Sequence, residues 1–373
     1  MGFDGVQPDV ERERPFWVAF HRVPYVGPVS IRKLLERFGS LEAAWHLDGR
    51  RLRAALNERA VASVESTRRE LDVNQLMSDL ERDRISVVTL AEEGYPRLLR
   101  EIHSSPPVLF YRGDLIPEDA TAVAIVGTRQ VTAYGRAVAE DLAGGLARAG
   151  ITIVSGLAKG VDGIAHRAAL EAGGRTIAVL GGGINRLYPY EHRHLAERIT
   201  TSGAVLSDYF PDSKPEGLNF PARNRIISGL SLGVIVVEAP EKSGALITVD
   251  FAADQGRDVF AVPGPLGAER SAGCNRILRD GARLVRSADD VLEDLRLRGQ
   301  AREVEVQQAL PLGEDERRVL AVLTGEPMHI DDICEQANLS TPLVSAHLIT
   351  MELQGLVRNA GAQHYVRSGR PGL

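Results

Sequence analysis

Ala122-Val123-Ala124-Ile125-Val126-Gly127-Thr128-Arg129 sets five apolar residues directly before a glycine, a hydroxyl and a guanidinium. A short unbroken apolar run that ends on such a turn reads as a strand buried on both faces. Residues 151–155, 176–180, 204–207, 234–238 and 258–262 repeat the pattern, with amphipathic stretches such as 137–149 and 163–172 between most of them. Strands buried on both faces and alternating with helices need right-handed crossovers, which give a parallel sheet with helices on each side. The predicted fold class is therefore α/β, a Rossmann-like parallel core that ends near Leu295.

Outward from this core the patterns change. Residues 16–80 read as helical, with apolar positions at helical spacing in Ile31-Arg32-Lys33-Leu34-Leu35-Glu36-Arg37-Phe38. The turn Val23-Pro24-Tyr25-Val26-Gly27-Pro28 ahead of it resembles a helix-hairpin-helix, whose backbone N–H groups can meet a phosphate; a plain helical bundle with basic solvent faces fits equally. Beyond the core, the polar stretch 298–308 reads as a linker. Helical segments at 314–323, 330–336 and 341–354 and a hairpin pattern at 355–366 then follow the order of a winged helix. The expected division is a helical domain over 1–85, the Rossmann-like domain over 86–297 and a winged-helix-like domain over 310–368.

Composition narrows the function classes. The chain has 373 residues, 44% hydrophobic and 25% charged, as expected of a globular protein of two or three units, and no apolar run approaches membrane-spanning length. Its start carries no secretory signal, and Val6 stands where a myristoylation motif wants Ser or Thr, so a cytoplasmic location is expected. Cys274 and Cys334 are isolated, which supports neither a disulfide framework nor a zinc site. A formal net charge of −6 excludes polyanion binding through a global positive field, so any nucleic-acid site has to be a local patch.

Ligands of open parallel sheets collect at the carboxyl ends of the strands, and the residues there favour anions. Gly127 permits a tight turn, Thr128 offers a hydroxyl and Arg129 a planar fork for phosphate oxygens. A dinucleotide fingerprint would need glycine where Arg129 stands, because the pyrophosphate must touch backbone there. The second loop, Ser155-Gly156-Leu157-Ala158-Lys159-Gly160-Val161-Asp162, places glycines and Lys159 ahead of a helix start. Asp162 and His166, four apart, could form an acid–base pair; without a nucleophile or metal partner they read instead as a helix cap and a packed histidine. Gly181-Gly182-Gly183 brings backbone close to a ligand or to a neighbouring helix, and His192-Arg193-His194 follows it. Arg223, Asn224 and Arg225 open a helix and suit a sugar-phosphate backbone. Ser243, Gly244 and Thr248 form a further oxyanion cradle, where Ser243 also fits an N-cap.

Taken in order, these segments resemble the DNA-processing protein A (Smf) family. The resemblance rests on Ala124 to Arg129, Val154 to Asp162 with Ala165-His166, Thr176 to Gly181 with Tyr188-Pro189, Phe220 to Ile227, Ser243 to Thr248 and Val259 to Gly264. Gly94-Tyr95-Pro96 and the segment from Pro106 to Gly113 extend it, so that roughly residues 90–290 are covered. The resemblance implies a Rossmann-like protein without catalytic residues, cofactor or metal that binds single-stranded DNA and forms a homodimer. It further implies that the protein protects such DNA and helps load RecA recombinase onto it in natural transformation or recombination. By position, Arg129, Arg223 and Arg225 are the first DNA-contact residues, followed by Lys159 and Arg193.

Two other readings compete. Related Rossmann-like phosphoribohydrolases carry Pro-Gly-Gly-x-Gly-Thr-x-x-Glu where this chain has Glu241 to Thr248, and the expected glutamate is missing, with Val249 and Asp250 nearby. A transcription regulator acting through the winged helix is disfavoured because residues 341–354 contain no Lys or Arg with which to hold phosphates; protein contacts are expected there instead.

Overall fold

The structure is a computed structural model that describes residues 10–297, 313–324, 327–353, 357–361 and 363–367. The expected linker at 298–308 and the first residues of the chain lie outside the described residues. The chain divides into two compact units, Met1–Arg302 and Glu303–Leu373.

The first unit begins with six helices: α1 (Val10–Arg22), α2 (Pro28–Phe38), α3 (Leu41–His46), α4 (Gly49–Leu52), α5 (Glu58–Glu70) and α6 (Val73–Arg82). Their ends are written in the sequence. Pro28 follows the N-cap Gly27, and Gly39 closes α2 in the left-handed region at φ 74°, with its N–H on the Leu35 carbonyl. Ser40, Asp48, Asn57 and Asp72 accept backbone N–H groups of the first turns of the next helices.

Nine strands follow in one sheet: β1 (Ser86–Thr89), β2 (Val108–Gly113), β3 (Ala122–Val126), β4 (Thr152–Ser155), β5 (Thr176–Val179), β6 (Gly203–Ser207), β7 (Gly233–Val236), β8 (Asp258–Ala261) and β9 (Arg283–Leu284). Their spatial order is β1-β2-β6-β5-β4-β3-β7-β8-β9. From β6 to β9 all neighbours are parallel, while β1 with β2 and β2 with β6 are antiparallel. α7 (Arg97–Arg100) connects β1 to β2, and the helices between the parallel strands are α8 (Ala133–Arg148), α9 (Val161–Glu171), α10 (Arg193–Ile199), α11 (Asn219–Gly229), α12 (Gly244–Asp254) and α13 (Ala272–Arg279), with α14 (Ala288–Asp294) at the end. The six expected core strands are all present, each shifted by a residue or two at most. The antiparallel pair β1–β2 and the short β9 were not expected. Gly203 shows how tightly β5 and β6 approach: a Cβ there would lie 1.9 Å from the Thr176 carbonyl oxygen.

Apolar side chains fill both sheet faces. Val123, Ile125, Leu142, Leu146 and Ile153 belong to one core and Ala124, Val154, Ile177, Leu206 and Val234 to another, as alternation along the strands requires. A third core joins the N-terminal helices to the sheet, for Trp17, Phe20, Leu34 and Trp45 share it with Phe110, Ala178 and Val205. Phe110 packs on Phe210 at a centroid distance of 5.0 Å, and Phe20 meets Trp45 edge-on at 5.1 Å. The change near residue 85 is thus one of secondary structure within a single packed body.

The second unit has the winged-helix order. Helices Glu314–Val322, Ile330–Ala337 and Thr341–Leu353 pack around Val319, Ile333, Val344 and Leu348, beside a three-stranded sheet of Met328–His329, His364–Arg367 and Val357–Gly361.

Phe110 is fully buried at the junction of helices and sheet. Phe110→Ala should lower the unfolding free energy of the first unit by about 3–5 kcal/mol, measured by urea denaturation, through lost transfer energy and the cavity left behind.

Candidate nucleic-acid interface

The chain order of the sheet reverses between β3 and β7, which are neighbours although the chain visits β4, β5 and β6 between them. The crossovers from these two strands leave in opposite directions and open a crevice at their carboxyl ends. A cleft of about 690 Å³ lies there, lined by Gly127, Thr128 and Arg129 after β3 and by Lys242, Ser243 and Gly244 after β7. Phe220, Arg223 and Asn224 of α11, Tyr188 and Asp162 complete its wall.

The β3 loop is fixed by its backbone. Thr128 N–H donates to the Glu238 carbonyl at 2.7 Å, Thr128 Oγ1 accepts from Gln130 N–H, and the Thr128 carbonyl accepts from Val161 N–H. Gly160, at φ 84°, passes so close that a Cβ would sit 2.2 Å from the Thr128 oxygen. The buried Glu238 carboxylate accepts from Thr132 N–H at 2.9 Å and so anchors the start of α8. Arg129 leaves this rigid loop exposed, with its guanidinium carbon 5.7 Å from the centroid of Phe220, which in turn lies 5.7 Å from Tyr188.

Beneath the cleft is a buried polar group of residues. Ser155 Oγ donates to the Ile125 carbonyl at 2.6 Å, and Asp162 accepts from the N–H groups of Gly156 and Ala158. Arg223 is 5% exposed; its Nη1 donates to the Gly156 carbonyl at 2.9 Å and to that of Val179. Burial lowers the Arg223 pKa to about 10, and burial also raises that of Asp162, with Arg223 and the loop N–H groups opposing. Arg223 therefore forms the floor of the cleft and holds the loops after β4 and β5, with Nη1 committed to protein carbonyls.

The other expected residues divide. Asn224 bridges to the Gly244 carbonyl at 3.2 Å, Ser243 caps α12 by accepting from Ala245 N–H, and Thr248 is buried in that helix. Arg225 turns from the cleft to pair with Asp208 at 2.5 Å. Lys159 stands outside the lining residues, paired with Glu191 at 2.6 Å, and Arg193 pairs with Glu197 beside a neighbouring cavity. Sequence reasoning did not single out Phe220, Tyr188 or Lys242 as site residues. Their aromatic type, in the proline-containing segments Tyr188-Pro189 and Phe220-Pro221 near helix starts, is the signal that could have found the first two, since bases stack on such rings. Among the described residues, no group of three or more His, Cys, Asp and Glu side chains could hold a metal ion, and no helix is long and apolar enough to cross a membrane.

Asp162 and His166 do not meet as an acid–base pair. His166 is fully buried and its Nδ1 lies 2.6 Å from Thr176 Oγ1, which itself donates to the Ile153 carbonyl, so the imidazole donates from Nδ1. Burial pushes its pKa down to about 3. The unfolded chain takes up a proton near pH 6.5 that the folded chain refuses until about 3, so this residue removes stability as pH falls through that window. Melting temperatures of His166→Gln against the wild type between pH 4 and 8 should show a shallower acid decline in the variant.

The chain matches the profile of the family described as DNA recombination-mediator protein A over residues 86–296, and that of the DprA winged helix domain over residues 303–362. It is 35% identical over 393 aligned residues to Protein Smf of Synechocystis, covering 95% of this chain and 99% of that protein. The DNA processing protein A structure from Streptococcus pneumoniae superposes with a TM-score of 0.68 at 36% identity, over 75% of this chain and 97% of that one. A structure of DNA processing protein A from Helicobacter pylori, described as giving insight into its unique single-stranded DNA binding mode, superposes with a TM-score of 0.51 at 32% identity, over 57% of this chain and 95% of that one. The chain belongs to the DNA recombination-mediator protein A family.

Proposed function

We propose that the chain binds single-stranded DNA in the β3–β7 cleft, protects it as a homodimer and helps load RecA recombinase onto it. The observation that carries the DNA reading is the exposed Arg129 guanidinium above Phe220, on the rim of an open cleft at the topological switch point. Lys242 and the start of α12 at Ser243 and Gly244 add positive potential on the opposite wall. A phosphate can then meet Arg129 while a base lies against the aromatic pair, and neither contact asks for a particular base. The recombination-mediator description of the family and the single-stranded DNA named for the Helicobacter protein support this reading. Dimer formation and RecA loading rest on the family resemblance.

A nucleotide-processing enzyme would need a carboxylate free to act on its substrate. Among the described residues, the one carboxylate lining the cleft, Asp162, is buried and holds two loop N–H groups. Incubation of the pure protein with AMP should release no adenine.

Arg129→Ala should weaken binding to all single-stranded sequences alike and reduce the slope of log Kobs against log salt by about 0.7, as read by fluorescence anisotropy; unchanged affinity would overturn the site. Arg223→Ala should act through stability, at a cost on the order of 3 kcal/mol in chemical denaturation, because two interior carbonyls lose their donor. The helix Thr341–Leu353 exposes Leu343 and Ile349 and has no Lys or Arg, which fits contacts with protein better than with DNA. Ending the chain at Gln307 should leave single-stranded DNA affinity unchanged in a mobility-shift titration.

A further inference from the structure

A second cavity, of about 550 Å³, opens beside the cleft on the far side of the segment Leu187–Tyr190, and Arg112, Arg186 and Arg193 line it. Tyr188 lines the first cavity and Tyr190 the second, with only Pro189 between them in the chain. We propose that this cavity is a second nucleotide subsite, taking the phosphate and base of a strand that leaves the cleft over Tyr188. The inference rests on the single-stranded DNA reading of the cleft.

Three observations support it. First, the guanidinium groups are held loosely. Arg186 lies 3.9 Å from Asp212 and Arg193 3.2 Å from Glu197, all four side chains are more than half exposed, and such pairs contribute little. A phosphate, with more charge and more acceptor oxygens than a surface carboxylate, can recruit both arginines. Arg112 is better placed, for its Nη2 donates to Asn185 Oδ1 at 2.7 Å and to the Asp83 carbonyl at 3.1 Å, which aims the rest of its fork. Second, Tyr190 is 70% exposed at the cavity, which Arg193 also lines. A ring exposed to water beside a guanidinium offers a stacking surface next to a phosphate donor. Third, the floor is apolar, with Leu187 and Val205 beneath the arginines, so the cavity suits a flat base as well as its phosphate.

The test compares oligothymidylates of about four and about twenty nucleotides, bound to the full-length protein at several salt concentrations. In wild type, affinity should rise with length. The double variant Arg186→Ala, Arg193→Ala should bind the short oligonucleotide as wild type does, yet lose roughly tenfold on the long one, with a salt slope smaller by about 1.4 for two phosphates. Tyr190→Ala should lose affinity for the long oligonucleotide at unchanged salt slope. Equal binding by wild type and the double variant at both lengths would overturn the subsite and leave the cleft reading intact. A loss on the short oligonucleotide would also overturn it, by placing these arginines within the first site. Arg129→Ala separates the two readings, because binding of the short oligonucleotide unaffected by that change would remove the cleft reading and the subsite with it. Thermal melting of each variant, expected at the wild-type temperature because the altered side chains are exposed, separates lost contacts from lost folding.

Discussion

The Arg223 guanidinium reaches into the interior from α11 and donates to the carbonyls of Gly156 and Val179, at the ends of neighbouring parallel strands. Parallel strands end by leaving their last carbonyls without a sheet partner, and burial makes such groups costly. One planar fork meets two of them here, and the nearby Asp162 carboxylate offsets part of its charge while holding the N–H groups of the same loop. The cleft keeps its shape because donors and acceptors beneath it are matched away from water. Gly156 is part of this arrangement, since a Cβ there would stand 2.5 Å from Arg223 Nη2.

On that floor the exposed groups can be few. Arg129 projects from a loop whose N–H, hydroxyl and carbonyl are already bonded, so its backbone moves little when a ligand arrives. The protein has a net charge of −6, and several of its surface arginines stand beside carboxylates, as Arg193 does with Glu197 and Arg283 with Asp258. Attraction for a polyanion is thereby local, set by where individual cations stand rather than by the charge of the whole surface.

Much of the fold was legible because buried parallel strands leave a plain trace: β3 to β6 are apolar runs closed by glycine or a small polar residue, and the runs of β7 and β8 stop at Glu238 and Pro263. The pair β1–β2 left a weaker trace, since Val87-Val88 is too short to separate from a helix and β2 continues into the polar Arg112-Gly113. The strand-end loops were equally legible, but the directions of their side chains were not. Arg129, Arg223 and Arg225 look alike as letters; one is exposed, one is inside and one is paired with Asp208. That difference depends on which carbonyls and carboxylates the folded chain brings within 3 Å or so, which local spacing does not contain. Phe220 was overlooked for a similar reason, because its place beside Arg129 arises only in the folded chain.

The core shared by Trp17, Phe20 and Phe110 couples regions that look like separate modules along the chain. Helices that shed this apolar face also expose that of the sheet, so opening of the N-terminal helices is coupled to the sheet through the shared core. A ligand that binds only the folded sheet therefore also resists any opening of α1 and α3 that disrupts this core, although it touches neither. Resistance of the N-terminal helices to proteases is in this way a remote gauge of occupancy at the far ends of the strands.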